Sequence, residues 1–150
     1  MTDHSDSIKQ TDDRQSILIT GASGGFGLEF AKQLEPLGFR LVLHGRDKPR
    51  LQMTLGALKH PDRHSIVLAD LNAKHGMASL LYAVEHENLA GLVNNAGFGI
   101  WGEFEKTGIV PQIDVIKTDL KAPIALSHAL LPELLKHKGF MINVSSLAGE

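Results

Sequence analysis

SILITGASGGFG, from Ser16 to Gly27, decides the reading of this chain. Ser16 to Thr20 is almost continuously apolar, as expected of a strand covered on both faces. Gly21, Gly25 and Gly27 follow at once, and helical spacing begins at Phe26. A strand that turns through glycines into a helix brings bare backbone and free helix-start amides to one point, the arrangement that accommodates a dinucleotide pyrophosphate. Gly21 permits the tight turn, Gly25 admits a phosphate against the backbone, and Gly27 lets the helix lie on the sheet. The hydroxyls of Thr20 and Ser23 can fix the turn or donate to phosphate. No Lys-Ser or Lys-Thr pair follows the glycines, which argues against an ATP-type phosphate loop.

Strand and helix alternate outward from this stretch. The first helix is expected over Phe26 to Leu37, with Phe26, Phe30, Leu34 and Leu37 as its buried stripe and Gly38 as its stop. Strands are expected at Phe39 to His44, Ser65 to Ala69, Leu89 to Val93 and Gly139 to Val144. Helices are expected over Pro49 to Lys59, Ala73 to Glu87 and Pro111 to Lys136, the last interrupted at Pro123 and Pro132. It carries Ile113, Ile116, Leu120, Ile124, Leu131 and Leu134. The alternation implies an α/β fold, a doubly wound parallel sheet with helices on both faces. Residues 1–15 are polar and read as a flexible tail, and 16–150 as one nucleotide-binding domain. The last strand has no following helix to cover it, which suggests a fold that is C-terminally incomplete.

Composition narrows the function. A formal charge of −2 gives no reason to expect nucleic acid or an anionic membrane as partner. The absence of cysteine excludes disulfides, thiolate catalysis and cysteine metal sites, and fits a reducing, cytoplasmic setting. No apolar run reaches membrane-spanning length, and the first residues lack the apolar core of a secretory signal. The eight histidines make no convincing metal site. His60 and His64 are separated by Pro61 without an evident third ligand, so structural or solvated roles are expected.

The spacing Thr20-Gly21-xxx-Gly25-x-Gly27, followed by NNAG at Asn94 to Gly97, resembles the short-chain dehydrogenase/reductase family, within it the classical type. The resemblance covers Ser16 to Gly149. It implies a Rossmann-like fold and an oxidoreductase that moves a hydride between NAD(P) and a carbonyl or secondary alcohol. The alternative is a nucleotide-binding protein or fragment without turnover. The cofactor residues so implied are Gly21, Ser23, Gly25, Phe26, Gly27, Arg46, Asp70, Leu71, Asn95, Ala96 and Gly97.

Cofactor choice rests on the second strand. Gly45 stands where the family pattern would place a ribose-binding acid, and Arg46 follows. A guanidinium suits a ribose phosphate, so NADP is expected over NAD. In the competing reading Arg46 is a solvated charge and Asp47 binds ribose. Asp70 and Leu71 flank adenine by resemblance, although spacing alone also allows Asp70 to cap the next helix. Phe98, Ile100, Trp101 and Phe104 read as a substrate wall or as a packing ledge.

Two catalytic positions are implied. Ser146 matches the family's substrate-orienting serine. Asp119 stands where the family has a relay asparagine, a departure from the pattern. The family's Tyr-x-x-x-Lys pair is absent, since the single tyrosine, Tyr82, comes far too early. Classical members commonly pair their long helices, which implies a homodimer or homotetramer. Leu126, Leu130 and Leu134 offer either an interface strip or a face turned to the sheet.

Overall fold

A computed structural model describes residues 14–146. The tail expected over 1–15 falls almost wholly outside the described residues, as does the end of the family resemblance at Gly149. Five strands, β1 (Ser16–Ile19), β2 (Arg40–Gly45), β3 (Ser65–Leu68), β4 (Leu89–Asn94) and β5 (Phe140–Asn143), form one parallel sheet in the order β3-β2-β1-β4-β5. The five helices are α1 (Gly25–Leu34), α2 (Lys48–Gly56), α3 (Gly76–Val84), α4 (Ile109–Ile116) and α5 (Ala122–Lys136). The chain is thus the doubly wound α/β sheet that its alternation implies.

β1 is central because all four of its side chains are buried. Successive strand residues point to opposite faces. Ile17, Ile19, Leu41 and Leu43 meet Ala31 of α1 and Leu51 of α2 on one face. Leu18, Val42 and Leu92 meet Leu80 and Val84 of α3 and Leu126, Leu130 and Leu134 of α5 on the other. From β1 the sheet continues to β2 on one side and to β4 on the other. The strand order reverses there, and the crevice at the carboxyl ends of β1 and β4 is where such sheets take ligands.

Three local expectations need correction. First, Phe26 and Leu37 do not belong to the buried stripe of α1; they are 72% and 67% exposed. Phe30 and Leu34 do pack on the core. The helix ends at Leu34, and a 3-10 turn over Glu35–Leu37 closes on Gly38, whose φ of 90° and N–H to the Glu35 carbonyl make the stop.

Second, the long helix is not broken at Pro132. α5 runs unbroken through it to Lys136, anchored by Leu126 and Leu130 before it and Leu134 after it. At Pro123 the irregularity is real. Proline has no N–H for the carbonyl four residues back, that of Asp119. A π turn, Lys117–Lys121, absorbs the fault, and Ala122 N–H reaches back to the Lys117 carbonyl.

Third, the strip of Leu126, Leu130 and Leu134 faces the sheet and supplies no external interface. Of the apolar positions expected on the long helix, only Leu134 is buried. Ile113, Ile116, Leu120, Ile124 and Leu131 line its outer side, together with Ile109 and Leu135. Among the described residues, no helix is long and apolar enough to cross a membrane.

Candidate cofactor-binding site

The glycine turn and the NNAG segment interlock. Thr20 Oγ1 accepts the N–H groups of Asn95 and Ala96, both at 3.0 Å, and donates to the Val93 carbonyl at 3.2 Å. Asn95 Nδ2 adds to this contact, donating to the carbonyls of Thr20 (3.0 Å) and Gly21 (3.1 Å). The Thr20 hydroxyl is therefore committed to the turn. A Cβ on Gly21 would lie 2.7 Å from Ala96 Cα, and one on Gly27 would lie 2.3 Å from the Gly21 carbonyl oxygen. Backbone meets backbone at both places. Gly24 and Gly25 differ: an added Cβ at either meets nothing within 4 Å, and their φ values are 151° and 54°. Here the turn presents bare backbone to open space at the start of α1.

The crevice beside this turn has a volume of about 490 Å³, within the range of small-molecule sites. The first turn supplies Gly21, Ser23, Gly24 and Phe26 to its lining. β2 and the start of α2 supply His44, Gly45, Arg46, Asp47 and Arg50. Ala69, Asp70 and Leu71 follow β3, and Asn95, Ala96, Gly97 and Phe98 follow β4, with Thr118 of the π turn opposite. Of the residues expected at the cofactor, Gly25 and Gly27 do not line it; Gly27 instead packs α1 against the turn. Asp119 and Ser146 do not line it either. Ser146 is exposed, three residues beyond the end of β5.

The two acidic neighbours of the crevice are partly committed. Asp47 caps α2, its Oδ1 accepting the Arg50 N–H at 3.0 Å. Asp70 does not cap α3; its Oδ1 accepts the Asn72 N–H at 2.9 Å in a local turn, six residues before that helix begins. Arg46 is exposed, and its guanidinium lies over the Phe98 ring, 5.9 Å from the centroid. Gly45 is a packing position: a Cβ there would meet Leu51 Cδ2 at 3.3 Å.

His44 is buried, and its Nε2–H donates to the Ala69 carbonyl at 3.1 Å. Burial lowers its pKa to about 4, against the opposing pull of that bond and of Asp70. It is a neutral wall of the crevice, with Nδ1 left unpartnered. Burial pushes the Asp119 carboxyl up, and the Phe98 N–H, 3.1 Å from Oδ1, opposes that rise. Behind the site, Asn94 Nδ2 donates to Asn143 Oδ1 at 2.8 Å and ties β4 to β5. Trp101 and Phe104 are 96% and 78% exposed, so they form no packing ledge among the described residues. Those residues also hold no group of three His, Cys, Asp or Glu suited to a metal ion.

Gly24, Ala69 and Thr118 are crevice residues that motif spacing missed, whereas His44 was expected near the adenosine end. Gly24 lies between two motif glycines and was legible as a third flexible position. Thr118 carries no local signal; it sits in the π turn, where its hydroxyl donates to Asn72 Oδ1 at 3.0 Å.

Beside the crevice, Gly24 and Gly25 present bare backbone at the start of α1, and its lining combines Arg46 and Arg50 with Leu71 and Phe98. The sequence profile described as short chain dehydrogenase matches residues 15–150. Dehydrogenase/reductase SDR family member 7B of Xenopus laevis is 34% identical over 146 residues, covering 89% of this chain and 45% of that protein. Mitochondrial D-beta-hydroxybutyrate dehydrogenase of Mus musculus is 32% identical over 144 residues, covering 90% and 42%. A metagenomic short-chain oxidoreductase solved in complex with NADP superposes with a TM-score of 0.81 at 33% identity, over 91% of this chain and 64% of that one. The chain spans about half the length of the curated relatives it matches. With its fold, its interlocked TGxxxGxG and NNAG segments and these likenesses, the chain belongs to the short-chain dehydrogenase family.

Proposed function

We propose that these 150 residues are a dinucleotide-binding unit that prefers NADP(H) and does not turn over by itself. The observation that carries the binding reading is the open cradle at Gly24 and Gly25 beside the fixed Asn95–Gly97 wall. The start of α1 would hold the pyrophosphate, Ser23 and Phe26 would flank it, and Asp70 and Leu71 would border adenine. Arg46 would pair with a ribose phosphate. Gly45 stands where the acid that a 2′-hydroxyl would call for is absent.

Bound there, the nicotinamide cofactor supplies or accepts a hydride. The chain's own catalytic share is orientation. Ser146 would hydrogen-bond the oxygen of a carbonyl or secondary alcohol. Asp119 would serve a proton relay through its backbone carbonyl, which Pro123 cannot engage in the usual helical bond. Proton donation to the developing oxyanion needs a group that residues 1–150 lack, because no Tyr-x-x-x-Lys pair occurs in them. A protein of the relatives' length that carries the pair would be the complete oxidoreductase.

Calorimetric titration with NADPH and NADH tests the reading. Tighter NADPH binding, lost on Arg46→Ala while NADH changes little, supports it. Equal affinities defeat the NADP assignment. Steady oxidation of NADPH by residues 1–150 with a panel of aldehydes and ketones defeats the assignment of the proton donor.

A further inference from the structure

Arg46, Phe98 and Asp119 form a chain of contacts across the mouth of the crevice. Arg46 follows β2, Phe98 follows β4, and Asp119 sits in the π turn between α4 and α5. Asp119 Oδ1 accepts the Phe98 N–H at 3.1 Å. A Cβ on Gly97 would stand 3.4 Å from the same carboxyl group, so this backbone already lies against it. Phe98 is half-buried, and its ring lies under the Arg46 guanidinium at 5.9 Å. Phe98 and Arg46 both line the crevice.

We infer that Phe98 and Asp119 are positioning residues for cofactor specificity: Asp119 fixes the Phe98 backbone, and the Phe98 ring holds Arg46 where a ribose 2′-phosphate is read. The inference rests on the NADP reading of Arg46. An exposed arginine is rich in rotamers, and ordering it on binding opposes affinity. A ring within cation–π reach of the guanidinium restricts it beforehand. The contact engages the charge of the guanidinium and uses none of its N–H donors, which stay available to a phosphate. Phe98 would thus act only on ligands that carry the phosphate Arg46 reads. Asp119 holds the loop by one charge-assisted bond to a main-chain N–H, a contact that an asparagine oxygen can also make.

Titration of the protein with 2′,5′-ADP and with 5′-AMP separates this role from general support of the site. Phe98→Leu should weaken 2′,5′-ADP about threefold, the scale of one exposed cation–π contact, and leave 5′-AMP unchanged. Phe98→Tyr, which keeps a ring face, should match wild type. Asp119→Ala should reproduce the Phe98→Leu effect, Asp119→Asn should restore the affinity, and the double variant Phe98→Leu/Asp119→Ala should be no weaker than Phe98→Leu. Circular dichroism on each variant confirms the fold. An unchanged 2′,5′-ADP affinity in Phe98→Leu overturns the inference, as does an equal loss for 5′-AMP. A failure of Asp119→Asn to rescue removes Asp119 from it. If wild type itself does not favour 2′,5′-ADP over 5′-AMP, the NADP reading fails instead.

Discussion

Asn95 donates two hydrogen bonds to Thr20: its main-chain N–H to the threonine hydroxyl and its side-chain Nδ2 to the threonine carbonyl, each at 3.0 Å. The pair locks the end of β1 to the end of β4. The same hydroxyl also takes the Ala96 N–H. Thr20→Val preserves shape and strands both N–H groups, in a position where Thr20 is only 1% exposed. It should cost about 2 kcal/mol of stability. Urea unfolding with an unchanged m-value is the measurement, and a loss below about 0.5 kcal/mol would deny the pair its structural weight.

Two glycines seven positions or fewer from Thr20 should respond oppositely to alanine. At Gly27 the added methyl would lie 2.3 Å from the Gly21 carbonyl oxygen, so Gly27→Ala should lower the thermal midpoint sharply or prevent folding. At Gly25 there is open space and a φ of 54°, so Gly25→Ala should cost only about 1 kcal/mol. Its methyl enters the cradle, and dinucleotide affinity should fall at least tenfold. Wild-type affinity in a folded Gly25→Ala protein would move the pyrophosphate elsewhere.

Acid should destabilise the fold in a defined window. His44 has its pKa lowered to about 4, so below about pH 6.5 the unfolded chain takes up a proton that the folded chain refuses until about pH 4. Stability present above that window is lost as pH falls through it, by up to about 3 kcal/mol. His64 adds to the same slope. Burial lowers its pKa, and the Glu35 carboxylate only partly offsets this. Burial raises the Glu35 carboxyl, but N–H donation from Lys59 and His60 and the bond from His64 outweigh it and hold the group below its ordinary value. Its contribution persists to lower pH and disappears as the folded carboxylate finally protonates. Denaturant midpoints from pH 8 to pH 4 should show the decline, with a shallower slope in His44→Asn. Equal slopes would remove His44 as a source.

Assembly, if it follows the helix pairing that the family resemblance implies, must use the outer face of the long helix. Ile113, Ile116, Leu120 and Ile124 recur there at helical spacing and are 42–62% exposed. Leu120→Glu should therefore convert a dimer or tetramer of the protein to smaller species in light scattering. Leu130→Glu buries a charge in the core, and unfolding is the expected result. A Leu120→Glu protein of wild-type size would place the contact on another surface.

The sequence alone determined the alternation, the parallel sheet and the two motif segments, because these depend on local properties. Apolar runs mark buried strands, glycines mark backbone that must turn or touch, and Gly38 marks where a helix must stop. Spacing could not say which side of a helix faces inward when both sides are apolar. Leu126, Leu130 and Leu134 turn to the sheet while Ile116, Leu120 and Ile124 face outward, and only packing against β4 and α3 made that choice. Phe26 has helical spacing and still stays out of the core, because at the start of α1 it lines the crevice. The contact of Arg46 with Phe98 joins residues 52 positions apart in separate crossovers. No local pattern encodes such a contact; it exists because a parallel sheet gathers the carboxyl ends of all its strands on one side.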